Sequence, residues 1–194
     1  LRPDKAAMKE IIKKSTASSR GVDGVDIVHY KSLLDLSTDV LGEAALMLSA
    51  DPKLHPPPPE SFTVARLACI PKVDPDIDPI HGAVIDPGNT RPISVFTRAY
   101  RLMTALYTPI FTQAARKSVH PSQAGFLRDC IQNVVDMDNF LYNIHMDDIK
   151  GGCLSTDIKA AFPSPHWSYI TEIFRFMGAP EWVHHLFTCL LYTS

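Results

Sequence analysis

The segment Cys153-Leu154-Ser155-Thr156-Asp157-Ile158, continuing through Lys159-Ala160-Ala161-Phe162-Pro163-Ser164-Pro165, reads as a short apolar strand ending in a carboxylate, then a turn, then a helix start. Gly151-Gly152 sets off its beginning, and glycine pairs interrupt regular structure. Ser164-Pro165 is a good N-cap and first-turn pair for a helix running to Met177. A serine oxygen accepts from the first free amides, and proline has no amide to leave unpaired. Gly178 is the C-terminal stop of that helix, and Pro180 opens a last one. A lone carboxylate at a strand end is ordinarily a cap or a turn former. With an aromatic residue five positions later and a capped helix behind it, Asp157 becomes a candidate metal ligand.

Upstream, Ile131, Val134, Val135, Leu141 and Ile144 mark a helix whose other face, Asp129, Asp136, Asp138, Asp147 and Asp148, reads as solvated. His120 to Phe126 is a loop. Thr97 to Lys117 is a longer helical pattern, with Tyr100, Met103, Tyr107, Ile110 and Ala114 on one face and Pro109 a kink. Phe62 to Ile70 and Thr90 to Phe96 read as two strands of a hairpin with a long polar tip. An Asp86-Pro87-Gly88-Asn89 turn lies in that tip, and Lys72 and Arg91 stand near the loop-side strand ends. Ten of the 16 prolines fall between Pro52 and Pro92, and His55-Pro56-Pro57-Pro58-Pro59 makes a stiff connector. Before it, Ile27 to Leu48 has helical spacing, and Gly21 to Asp26 forms a turn and a helix cap. Residues 1–31 hold seven Lys/Arg and four Asp/Glu, a local net charge of +3.

Composition narrows the class. The 194 residues are 45% hydrophobic and 21% charged, which excludes wholesale disorder and collagen-like structure. No apolar run approaches the ~20 residues of a membrane span. With a net charge of -2, nucleic-acid binding has to be local. No signal peptide opens the chain, and its start at Leu1 reads as part of something longer. The four cysteines contain no Cys-x-x-Cys pair. Cys69 and Cys153 sit among apolar neighbours and are expected as buried reduced thiols, suited to a reducing compartment.

The Leu154–Ser164 segment resembles the first catalytic motif of reverse transcriptases, in which a strand ends in Asp with an aromatic residue five positions later. Gly21-Val22-Asp23-Gly24-Val25 resembles the Gly-x-Asp-Gly near the start of LINE-type (non-LTR) reverse transcriptase domains. Ile70-Pro71-Lys72 and Asn89-Thr90-Arg91-Pro92-Ile93-Ser94 are similar to finger strands of that family, Pro121 to Phe126 to its Gln-x-Gly-Phe loop, and Met177-Gly178-Ala179-Pro180 to a palm helix junction. These motifs stand in family order from about Gly21 to Thr188.

The resemblance implies an α/β (α+β) fold, the fingers and part of the palm of a right-hand polymerase. Residues 1–60 would be an N-terminal basic helical segment with its Pro-rich connector, 61–150 the fingers, and 151–188 the start of the palm. It implies an RNA-directed DNA polymerase, a nucleotidyltransferase using two Mg2+ ions, with RNA template, DNA primer and dNTPs as partners, no membrane, and the nucleus as location. Asp157 would be catalytic and bridge both metals, with the Ile158 backbone carbonyl as a further ligand. Lys72 and Arg91 would hold the triphosphate, and Phe162 would pack under the sugar and exclude a 2'-hydroxyl. Gln123 and Arg128 would touch template or primer, or tie fingers to palm. The basic stretch before Lys31, with Lys72 and Arg91, is expected to bind RNA weakly.

The sequence departs from the pattern in three places. Pro163 stands where the family keeps a polar residue, the Val73–Asn89 insert is long, and the second catalytic motif, aromatic-Ala-Asp-Asp, is not present. That motif, the rest of the palm and the thumb are expected beyond residue 194, so this chain alone is expected not to polymerise. Cys189-Leu190-Leu191-Tyr192-Thr193-Ser194 is also the translation of TGT CTC TTA TAC ACA TCT, a transposase mosaic end used in sequencing libraries; as an artefact it would end the natural sequence at Thr188. An RNA-dependent RNA polymerase usually has a second Asp where Phe162 stands. A decayed, non-catalytic RNA-binding remnant is the alternative of another class.

Overall fold

The computed structural model describes residues 4–51, 53, 58–120, 123, 125, 130–147, 150–151, 154–158 and 164–191. The helices are α1 (Lys5–Lys14), α2 (Ile27–Ser32), α3 (Leu34–Leu48), α4 (Arg98–Ser118), α5 (Cys130–Met146), α6 (Trp167–Phe176) and α7 (Glu181–Leu191). The strands are β1 (Ala65–Pro71), β2 (Asp76–Asp78), β3 (Gly82–Val84) and β4 (Thr90–Phe96). The class is mixed α and β, with two small antiparallel sheets, β1–β4 and β2–β3. No helix among the described residues is long and apolar enough to cross a membrane. The chain divides into two compact units, Leu1–Tyr107 with Thr171–Ser194, and Thr108–Ile170. The division falls within α4 beside Pro109, which has no amide to give the carbonyl of Ala105.

In the first unit, α1 lies against α3 through Met8 and Ile12, both fully buried. Each such side chain contributes roughly 1.5–3 kcal/mol on burial. A row of ion pairs flanks this seam. Lys5 reaches Asp39 at 3.3 Å and Glu43 at 2.8 Å, and Lys9 reaches Asp35 at 2.7 Å. Gly42 permits the approach, since a Cβ there would lie 3.1 Å from the Lys5 side chain. Leu41, Ala45 and Leu48 of α3 join Leu102, Met103, Leu106 and Tyr107 of α4 and Val183, Leu186 and Cys189 of α7 in the core. The Tyr107 hydroxyl donates to the Ala45 carbonyl at 2.5 Å. That carbonyl belongs to the last turn of α3, whose acceptors have no intrahelical partner. Trp182 of α7 stacks on the Tyr107 ring, centroids 6.0 Å apart.

Several sequence expectations need correction. The single helix over 27–48 is two, broken at Leu33, where φ is -116° and ψ 46°. The 74–89 tip is not a plain loop. It contains β2–β3, whose turn forms because Asp78 Oδ1 accepts from both Ile80 N–H and His81 N–H and Gly82 takes φ +74°. The helix expected from Ser164 starts at Trp167. His166 stands at its N-cap, its Nδ1 accepting from Ser168 N–H at 3.3 Å. Gly178 does end that helix, with φ +68°, its N–H on the Arg175 carbonyl and that of Ala179 on the Phe174 carbonyl. Cys69 is exposed because it lies on the uncovered side of a two-stranded hairpin, whereas Cys189 is buried and its thiol is pushed up by desolvation. Cys153 lies outside the described residues. In the second unit, the apolar stripe of α5 is largely exposed, Ile131 and Val134 at about 70%.

Two outcomes follow from this packing. Tyr107→Phe removes the donor from a buried carbonyl, and chemical denaturation should show a loss of about 1–3 kcal/mol; an unchanged midpoint would discount the α3–α4 tie. The α1–α3 row raises Lys5 (hydrogen bonds to Glu43, then Asp39) and Lys9 (hydrogen bond to Asp35) above the ordinary 10.5, and the Lys9 bond holds Asp35 below 3.8. Its contribution is therefore present between those values, lost as pH rises through the raised lysine values, and lost as pH falls through the depressed Asp35 value. The Met8 methyl resonance should keep its packed position across that window and drift toward the free-chain position outside it, or at about 1 M salt, where screening reaches about 3 Å.

Candidate functional site

The β1–β4 hairpin has a register that sorts its side chains onto two faces. Ile70 pairs with Arg91, Ala68 with Ile93 and Arg66 with Val95. Lys72 N–H donates to the Asn89 carbonyl at 2.8 Å, so the ladder continues one pair beyond β1. Because neighbours along a strand alternate, Arg66, Ala68, Ile70 and Lys72 share one face with Arg91, Ile93 and Val95. Lys72 and Arg91 thus stand as diagonal neighbours, a relation that puts the two residues about 7–8 Å apart with their Cβ atoms somewhat closer. The same register explains two prolines in a short hairpin. Pro71 opposite Thr90 and Pro92 opposite Cys69 occupy the non-hydrogen-bonded pairs, where the missing amide would point away from the partner.

That face carries Arg66, Lys72 and Arg91 and no carboxylate, while the opposite face, from Ala65, Leu67, Cys69 and Pro71 to Thr90, Pro92, Ser94 and Phe96, carries no charge. Lys72 and Arg91 are exposed, and the Lys72 ammonium donates to the Gly88 carbonyl at 3.2 Å. A guanidinium grips two phosphate oxygens and an ammonium acts as a point charge, so the diagonal pair suits a polyphosphate. The sequence reading does not single out Arg66, yet period-two counting back from Lys72 finds it. Six residues of strand place it about 20 Å from Lys72.

The other end of the hairpin is fixed at a corner. Gly21 is buried against it: a Cβ there would lie 2.5 Å from Thr97 Cα and 2.8 Å from the Phe96 carbonyl oxygen. Phe96 stacks on Tyr100, centroids 4.3 Å apart, and Phe62 lies 5.2 Å from the same ring. Arg98, 6% exposed, points its guanidinium toward Asp26 at 3.9 Å and donates to the Ser18 carbonyl at 3.4 Å. Arg101 donates to Ser18 Oγ at 2.9 Å and to the Ser19 carbonyl at 2.5 Å. Asp26 is the N-cap of α2 and also pairs with Arg20 at 3.3 Å. The Ile27 amide, then Arg20 and Arg98, hold its carboxyl below the ordinary range. Burial, then the like charge of Arg98, pushes Arg101 down.

The remaining expected site residues belong to the second unit. Leu154–Ile158 is not a strand; these residues have no regular structure and are exposed, with Leu154 at 88%. A strand needs a partner ladder, and none meets this segment among the described residues. Asp157 and the Ile158 carbonyl therefore stand in open chain. Gln123 is exposed, its N–H on the His120 carbonyl. Phe162 and Arg128 lie outside the described residues. Among the described residues no group of three or more His, Cys, Asp or Glu side chains is placed to hold a metal ion. One carboxylate and one carbonyl are a fit donor set for magnesium where phosphates and water complete the shell.

Most cations of the basic N-terminal stretch lie within reach of carboxylates. Lys5 and Lys9 pair with α3, Lys13 and Lys14 with Glu10, and Arg20 with Asp26. No protein-family model, curated protein or solved structure matches the chain.

Proposed function

We propose that the chain is part of an RNA-directed DNA polymerase of the LINE-type (non-LTR) reverse transcriptase kind, and that its β1–β4 hairpin holds the triphosphate of an incoming deoxynucleotide. The observation that carries this reading is the register that puts Lys72 and Arg91 side by side on one exposed, carboxylate-free face. The ordered motifs from Gly21 to Thr188 support it independently.

In this reading Lys72 and Arg91 bind the β- and γ-phosphates and offset their charge. Asp157 and the Ile158 carbonyl would hold magnesium, which supplies charge neutralisation at the transferred phosphoryl group and activation of the primer 3'-hydroxyl. Phe162 packs under the sugar and rejects a 2'-hydroxyl; an RNA-dependent RNA polymerase usually has a second Asp there. Gln123 and Arg128 contact template or primer. The fingers and first part of a right-hand palm, and a nuclear location, belong to the same proposal.

The 194-residue chain should bind dATP or inorganic triphosphate in a salt-dependent way. Lys72→Gln and Arg91→Gln should each weaken that binding about tenfold, the equivalent of one charge-assisted contact of ~1.4 kcal/mol. Arg91→Lys should recover part of the loss. Equal affinity in all four proteins by calorimetry would remove the hairpin from the site. In a complete polymerase carrying this sequence, Asp157→Asn should abolish primer extension and leave primer–template binding intact, because the latter depends on phosphate contacts elsewhere. Undiminished synthesis by that variant would refute the metal role.

A further inference from the structure

We propose that Asp26 and Gly21 are positioning residues for Lys72 and Arg91: segment 18–26 braces the β4–α4 corner, and the brace sets the angle at which the hairpin carries its cations. The inference rests on the triphosphate reading for its consequence but not for its geometry.

The hairpin is a two-stranded sheet with both faces largely exposed, and such a hairpin is marginal alone. Its ties to the helices of its unit gather at one end. Gly21 fills the space beside Thr97 with no side chain, so the backbone of the segment lies against the backbone of the corner. Thr97 caps α4, its Oγ1 accepting from Tyr100 N–H at 3.2 Å. The first turn of α4 contains no acidic residue and carries Arg98 and Arg101 at the positive end of the helix dipole. Segment 18–26 supplies what that turn lacks: the Asp26 carboxylate, the Ser18 and Ser19 carbonyls and the Ser18 hydroxyl.

Lys72 and Arg91 stand at the far end of this lever. From Phe96 to Arg91 is about 17 Å of strand, so a tilt of about 10° at the corner moves the cations by about 3 Å. Displacements of about 1 Å at a reacting centre can cost two orders of magnitude in rate, so a lever of this length needs a fixed fulcrum. The direction of the hairpin is then written partly in residues far from it in sequence.

The test reads hairpin pose and ligand binding separately. A nitroxide on the exposed Cys69 and a second on Val40→Cys of α3, with the other three cysteines replaced by alanine, report the hairpin-to-helix distance in the 194-residue chain. The parent should give one narrow distribution. Asp26→Asn and Gly21→Ala should broaden it and weaken triphosphate binding about tenfold or more, with helix content by circular dichroism unchanged; Asp26→Glu should restore both. Should the first two variants lose helix content, Arg101→Gln, which removes only the contacts to Ser18 and Ser19, is the variant to read, and broadening is again expected. A distribution as narrow as the parent's in a folded variant overturns the proposal. Broadening in a protein whose parent binds no triphosphate upholds the brace and rejects the triphosphate reading instead.

Discussion

A buried guanidinium at the start of α4 is the constraint around which the first unit is arranged. Arg98 is almost wholly removed from water at the end of a helix where the backbone dipole is already positive. A buried charge without a partner is among the costliest features a fold can contain. The chain meets this cost with a segment some 80 residues earlier, so the contact Arg98–Asp26 closes a long loop. Once Asp26 is held there it caps α2, and α2 leads directly into α3 at Leu33. α3 in turn receives α1 through Met8 and Ile12 and receives the Tyr107 hydroxyl from α4. Helices α1 to α4 are thus joined in a closed circuit, and the hairpin projects from the point where the circuit meets β4.

How much of this is legible in the sequence depends on whether a feature is local. The strand Thr90–Phe96, the turn and cap at Gly21–Asp26, and the stop at Gly178 are written in a few adjacent residues and stand where the pattern puts them. Lys72 and Arg91 follow from the hairpin, since strand ends and alternation fix which side chains can meet. The break at Leu33 has no glycine or proline to announce it. The start of α6 shifts from Ser164 to Trp167 because His166, a less common cap, supplies the acceptor. Leu154–Ile158 has the composition of a strand, but composition cannot provide the neighbouring ladder that makes one. Arg98 and Arg101 look like ordinary surface cations until the distant Ser18, Ser19 and Asp26 are brought to them, and nothing in the local spacing signals that meeting.

Charge placement connects these observations to chemistry. A count of lysines and arginines points to the N-terminal stretch as the region for nucleic acid, since it holds the local surplus. Folding spends that surplus internally: the lysines of α1 lie beside carboxylates of α3 or Glu10, and Arg20 and Arg98 lie beside Asp26. On the hairpin the balance is the reverse. Arg66, Lys72 and Arg91 have no carboxylate partner among the described residues, and the face they share has none to offer. A phosphate approaching the N-terminal helices has to displace carboxylates already in place, whereas one approaching the hairpin meets exposed cations, of which Lys72 donates to a single carbonyl. In a chain whose net charge is -2, it is this difference in pairing, more than the number of basic residues, that directs an anionic ligand to the hairpin.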